Sequence, residues 1–274
     1  MLRCIVCILA LFATMAHAQE GKPQQDTGKA IVLTTAYGTH FDAYITGPAS
    51  ASRAVLLLHD RYGLDEEARN WADRFAGLGY LALAIDLYDG RHAKHWQHAT
   101  SVMKSNAQEW ADSDIAGALS YLKHDDPQRK VAILGWDYGG TEALLATLRD
   151  PTAVAATVSY YPAHLDTRPT VAQTVESPML LVLAKHDPEL NARPKHLAQS
   201  RLGKIGVNFM VEGLDALGNL REIASVLRSR TDINVVGLDA DREFSDPLSD
   251  HYDAAATASA WNVTKEFLAS HMTP

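Results

Sequence analysis

Ala132-Ile133-Leu134-Gly135-Trp136-Asp137-Tyr138-Gly139-Gly140-Thr141 is the stretch around which the rest of the chain is organised. An apolar run ends at Gly135, a Gly-x-Asp-x-Gly-Gly turn follows, and Glu142-Ala143-Leu144-Leu145-Ala146-Thr147-Leu148 supplies strong helix formers. This order predicts a buried strand that turns sharply into a helix. The small residues let strand and helix pack closely around a strained turn that presents one side chain. The centre of such an elbow ordinarily carries Ser or Cys. Here it carries Asp137.

Outward from the elbow, short apolar runs alternate with helical patterns. Ala54–His59, Tyr80–Ile85, Val154–Tyr160, Met179–Ala184 and Ile233–Leu238 are continuous enough to be strands buried on both faces. Ala30–Thr35 and Phe41–Ile45 read as strands joined by a turn at Tyr37-Gly38. Helical spacing recurs from about Asp65, from Gln108 to Lys123, and from Tyr252 to His271. The stretch holding His92, His95 and His98 reads as a solvated, loop-like lid. The alternation predicts a doubly wound α/β architecture with a mostly parallel central sheet and helices on both faces.

The start of the chain reads as an export signal. Arg3 precedes an apolar run from Cys4 to Met15, and Ala16-His17-Ala18 is a small-x-small cleavage site. Residues 1–18 are therefore expected to be a signal peptide, 19–28 a flexible polar leader and 29–274 the folded domain, in a periplasmic or secreted protein. Both cysteines, Cys4 and Cys7, fall in the removed segment, so the mature chain has no disulfide and no thiolate nucleophile. The net charge of −8, with both signs interspersed, argues against nucleic acid and anionic membrane surfaces as partners. No membrane insertion is expected after cleavage. The expected partner is a small-molecule ligand or substrate, and nothing in the chain specifies an oligomeric state.

Several segments together carry a family resemblance. His59-Asp60-Arg61-Tyr62-Gly63-Leu64, Ala76-Gly77-Leu78-Gly79-Tyr80 running to Tyr88, the elbow, His186-Asp187-Pro188, Phe244-Ser245-Asp246-Pro247 and the tail from Tyr252 to Trp261 resemble the dienelactone hydrolases. These belong to the α/β-hydrolases. The resemblance implies the α/β-hydrolase fold and an ancestral hydrolysis of a carboxylic ester or lactone through an acyl-enzyme. It also implies a triad in the chain order nucleophile, acid, histidine. On this alignment Asp137 stands at the nucleophile position, Asp187 is the acid, and Arg242, preceding Glu243-Phe244, stands where the histidine belongs. The backbone N–H groups of Arg61 and Tyr138 correspond to the oxyanion hole, and Asp60 to the family's acidic residue after the first buried strand.

Two chemistries follow for such a site. In the first, Asp137, Asp187 and Arg242 form a fixed ion network, with the arginine bidentate to one carboxylate and sharing its charge with the other, and standard esterase activity is lost. In the second, Asp137 is a working carboxylate nucleophile or general base on an ester, lactone or halogenated substrate. That route still requires a base to release the ester, and arginine stays protonated. His251, before the final helix, is the candidate for that base. His59 reads as structural, and His186 as pointing away from its neighbour Asp187. Asp60, Tyr88 and His251 are the candidate pocket residues, while Arg61 and Arg91 are candidates to meet an anionic substrate. Asp60, Asp137 and Asp187 offer oxygens to a hard cation, but Arg242 among them already neutralises the carboxylates, so neither metal nor cofactor is called for.

Overall fold

The computed structural model describes residues 27–163, 177–188 and 233–273. In chain order these hold β1 (Lys29–Thr34), β2 (His40–Thr46), β3 (Arg53–Leu58), α1 (Glu66–Ala76), β4 (Leu81–Ile85), α2 (Trp96–Ser105) and α3 (Gln108–Lys123). There follow β5 (Lys130–Trp136), α4 (Asp137–Arg149), β6 (Ala156–Tyr160), β7 (Met179–Ala184), β8 (Ile233–Leu238) and α5 (Ala254–His271). The eight strands form one sheet in the order β1-β2-β4-β3-β5-β6-β7-β8. β1 and β2 pair antiparallel, as do β2 and β4, and every later pairing is parallel.

The strands are apolar throughout because successive side chains feed two different cores. Val55 and Leu57 of β3, with Ala132 and Leu134 of β5, pack against Trp71 and Phe75 of α1 and Ala260 and Phe267 of α5. The intervening Ala54, Leu56 and Leu58, with Val131 and Ile133, pack on the other face against Ile115 and Leu122 of α3 and Ala143 of α4. Each fully buried aliphatic side chain contributes about 1.5–3 kcal/mol. Two helix starts are capped: Asp65 caps α1 by accepting from Ala68 N (3.0 Å), and Asp253 caps α5 by accepting from Ala255 N and Ala256 N.

Two local expectations are corrected. The histidine stretch is not wholly a loop, since His98 lies in α2, where Ala99 and Val102 bury at helical spacing and no Gly or Pro interrupts. The signal segment and most of the leader lie outside the described residues, but the last two leader residues are held fast. Thr27 donates through Oγ1 and N to Asp73 (2.6 and 3.2 Å), and Gly28 N donates to the Tyr44 hydroxyl (2.7 Å), which itself donates to Asp73.

The sheet order also locates the site. From β3 the chain winds one way to β4 and then returns to place β5 on the other side. A crevice forms at the carboxyl ends of strands where the winding direction reverses. The residues that open onto this switch point are His59-Asp60-Arg61 after β3 and Asp137 after β5.

Candidate active site

The elbow exists because two glycines permit contacts that no larger residue would. A Cβ on Gly135 would lie 2.2 Å from Gly139 O, and a Cβ on Gly139 would lie 2.3 Å from both Leu58 O and His59 O. With α4 drawn this close, Gly139 N donates to His59 O (3.1 Å) and ties the elbow to the end of β3. Asp137 sits at the corner with φ +50°, in the left-handed region where Asp and Asn are the more tolerant side-chain-bearing residues.

The carboxylate so presented is buried and fully engaged. Arg61 forks onto it, Nε donating to Oδ2 and Nη2 to Oδ1 (2.7 Å). Arg242 Nη2 also donates to Oδ1, while its Nη1 donates to Asp187 Oδ2 (2.7 Å). Asp187 follows β7, and Arg242 comes from the loop after β8, whose next residue Glu243 has φ +66°. Burial by itself raises the Asp137 pKa, but the Arg61 hydrogen bond and the charges of Arg242 and Arg61 more than offset it and hold the carboxyl below its ordinary value. Two carboxylates and two guanidiniums thus balance in a dry setting.

The expected fork from Arg242 is corrected. Arg242 bridges, one nitrogen to each carboxylate, and the bidentate partner of Asp137 is Arg61. From the sequence, Arg61 is expected to offer a backbone N–H and a contact with substrate. Its side chain reaches Asp137 because it leaves the end of β3 beside the elbow strand, with which β3 pairs in register from Arg53 to Leu58. The adjacency of Arg61 to Asp60 at a strand end was the one available signal. Arg91 is engaged locally instead, donating to Tyr88 O, Ser105 Oγ and Asn106 Oδ1.

Neither His251, the candidate base, nor His59 or His186 is hydrogen-bonded to the elbow carboxylate. His251 is corrected as a pocket residue: it is more than half exposed, with Nδ1 3.4 Å from Asp241 Oδ2, because the turn before α5 carries it to the surface. His186 points outward as expected, its Nε2 3.1 Å from Asp239 Oδ1. His59 is buried with both ring nitrogens in use. Leu87 N donates to Nε2 (3.0 Å), which assigns the proton to Nδ1, and Nδ1 donates to Asp60 O (2.6 Å). A ring held this way is structural.

Asp60 and Tyr88 do lie at the crevice. Tyr88 is fully buried, stacked on Tyr138 with centroids 5.2 Å apart and packed against His59 at 4.6 Å. Its hydroxyl has no hydrogen-bond partner among the described residues. Asp60 accepts from Tyr62 N (2.7 Å). Its pKa is raised well above the ordinary value by burial first and then by Asp65, with Asp137 and Asp246 adding to the effect. Asp60, Asp65, Glu67 and Asp246 surround a cavity of about 20 Å³, the size of one water site.

The model of the dienelactone hydrolase family matches residues 41–214. The chain belongs to the dienelactone hydrolase family. It is 24% identical over 245 residues to "Protein usf" of Aquifex pyrophilus, covering 86% of this chain and 96% of that protein. It is 27% identical over 154 residues to the carboxymethylenebutenolidase homolog of Homo sapiens, a match spanning 54% of this chain and 62% of the human protein. Among solved structures, a dienelactone hydrolase-like promiscuous phosphotriesterase from metagenomic libraries superposes with a TM-score of 0.66 at 20% identity, covering 89% of this chain and 99% of that one. The family's α/β-hydrolase fold, a mostly parallel eight-stranded sheet flanked by helices, is therefore the fold of this chain.

Proposed function

We propose that this member of the dienelactone hydrolase family keeps the ester and lactone hydrolase scaffold but has exchanged the hydrolytic cycle for a fixed ion network, and that it binds a small molecule without turning it over by the standard route. One observation carries the reading: Arg61 and Arg242 together occupy both oxygens of Asp137. A nucleophile needs a lone pair free to meet carbon, and a general base needs affinity for a proton. Pairing with two guanidiniums diminishes both, and a depressed pKa marks a weak base. Arg242, at the position the family gives to histidine, cannot take a proton from water. The signal-like residues 1–18 support a periplasmic or secreted location.

A second reading rests on the same carboxylate. Asp137 is held ionised at the elbow, so attack on an activated carbon needs no deprotonation. On an ester or lactone carbonyl, the backbone N–H groups of Arg61 and Tyr138 would receive the oxyanion, and loss of the alkoxide would leave a mixed anhydride of Asp137. On a haloalkane, displacement of halide would leave an ester of Asp137 directly, and hydrolysis of either product lacks a base among the residues described above.

The test is a panel of activated esters, lactones and haloalkanes given to the wild-type protein and to Asp137→Ala, with intact mass recorded on each sample. Neither turnover nor an adduct is the expected result. Turnover that disappears in Asp137→Ala would overturn the proposal, and a stable mass increase on wild type alone would establish attack without release.

A further inference from the structure

Away from the ion network, a cleft of about 1300 Å³ runs between α3 and the turn that joins β1 to β2. Its walls carry Tyr37, Trp110 and Tyr121, which are 85%, 62% and 41% exposed. Three of the five most exposed aromatic side chains of the described residues are thus gathered on one concavity, the others being Trp96 and Tyr252. An exposed aromatic face loses little by itself, but three on one cleft make a surface suited to a ligand that is apolar, cationic or both.

The charge of the cleft selects between these. Asp89, Glu109, Asp112 and Asp114 line it, and the single Lys or Arg among its described lining residues is Arg149. Arg149 is already committed, its Nη2 lying 2.6 Å from Asp112. Asp89, Glu109 and Asp114 have no ion-pair partner among the described residues. Inorganic cations do not suit the place, since no three His, Cys, Asp or Glu of the described residues converge as metal ligands. A ligand that spreads positive charge over alkyl groups suits both the rings and the carboxylates.

We propose that this cleft binds a small organic cation of the alkylated-ammonium class. Trp110, next to Glu109 and one turn from Asp114, meets its alkyl shell, while Asp89, Glu109 and Asp114 supply the countercharge; Tyr121 lies about 16 Å further along α3 and is outside its reach. Burial, then Asp86 and Asp89, push the Asp114 carboxyl up to about 7. A cation in the cleft relieves that crowding. At one end the cleft reaches Asn106, which donates to the Tyr138 hydroxyl (3.0 Å) next to the elbow. The proposal stands independently of whether Asp137 is catalytic.

The probe is choline, with 3,3-dimethylbutan-1-ol as a neutral molecule of the same shape, each titrated into the purified protein and followed by ligand-observed NMR. Choline is expected to saturate in the millimolar range and the alcohol to bind at least about 5-fold more weakly. Trp110→Ala and Glu109→Gln, both on the exposed face of α3, should each weaken choline several-fold while leaving the melting temperature in place. Equal binding of the two probes would overturn the proposal in favour of a purely apolar or sugar-like ligand. Absence of saturable choline binding, or choline binding indifferent to both substitutions, would overturn it outright.

Discussion

Replacing Asp137 by Asn removes one charge from the ion network and little else, because Asn is nearly isosteric and tolerates the φ of +50° at the elbow. Arg61 and Arg242 are 5% and 7% exposed, so water cannot stand in for the lost carboxylate. Arg61 would then lose the charge of the carboxylate it forks, Arg242 would keep Asp187 but lose Asp137, and the new amide would place an N–H₂ against one of the guanidiniums. Removing one partner of a buried pair costs about 3–5 kcal/mol, set against about 5–15 kcal/mol for the whole stability of a typical domain. In urea this should lower the midpoint by about 1–2 M with an unchanged slope. The pH dependence follows from the sign of the shift. The folded-state pKa of Asp137 is depressed, so its stabilisation is complete above the unfolded carboxyl value of about 3.9 and is lost as pH falls through the folded value. The gap between wild type and Asp137→Asn should therefore be flat from neutral to mildly acid pH and close only in stronger acid. A cost below about 1 kcal/mol, or a gap that changes around neutrality, would refute the claim that the network is desolvated and mutually dependent.

Other substitutions probe neighbouring features. Asp137→Ser combined with Arg242→His restores a nucleophile and a base beside Asp187, and should produce burst hydrolysis of an activated ester that Arg242→His alone does not show. Glu67 is pushed up to about 7 by burial and then by Asp246 and Asp65, so its ionisation opposes folding progressively as pH rises to that value and fully above it. Glu67→Gln should therefore gain about 1–2 kcal/mol in a urea melt at pH 8, after allowance for partial exposure, and little at pH 5. Gly135→Ala forces a Cβ to 2.2 Å from Gly139 O and should cost at least about 3 kcal/mol, seen as loss of soluble protein or a collapsed melting temperature.

Where the sequence was legible, one physical cause spoke alone. The buried strands show themselves because both faces of the central sheet need apolar side chains, and the elbow because only glycine fits at 135 and 139. The placing of Asp137, Asp187 and Arg242 in one network follows from strand order, since their loops share one end of the sheet. The side chain of Arg61 was not legible, because direction at a strand end is set by the tertiary neighbour and not by any period in the sequence. The same holds for His251, whose position in the chain near Arg242 says nothing about which way the turn carries it. The helix α2 was obscured by the polar, histidine-rich composition that reads as a solvated loop, while Ala99 and Val102 held the apolar register.

The bridging position of Arg242 has a consequence for how such a site can arise by single replacements. Begin with a neutral residue at 137 and a histidine at 242, keeping Arg61 and Asp187. Arginine arriving first at 242 would place two buried cations beside one anion. Aspartate arriving first at 137 would find Arg61 within reach at once, and a protonated histidine could balance Asp187. Arginine could then replace that histidine without changing the total charge. The order of mutation is thus constrained by electrostatics, and so is the way back: histidine returning first at 242 keeps the balance when protonated, whereas loss of Asp137 first sets two guanidiniums against one carboxylate fewer. The four residues are therefore left most readily by the same steps, in reverse, that assemble them.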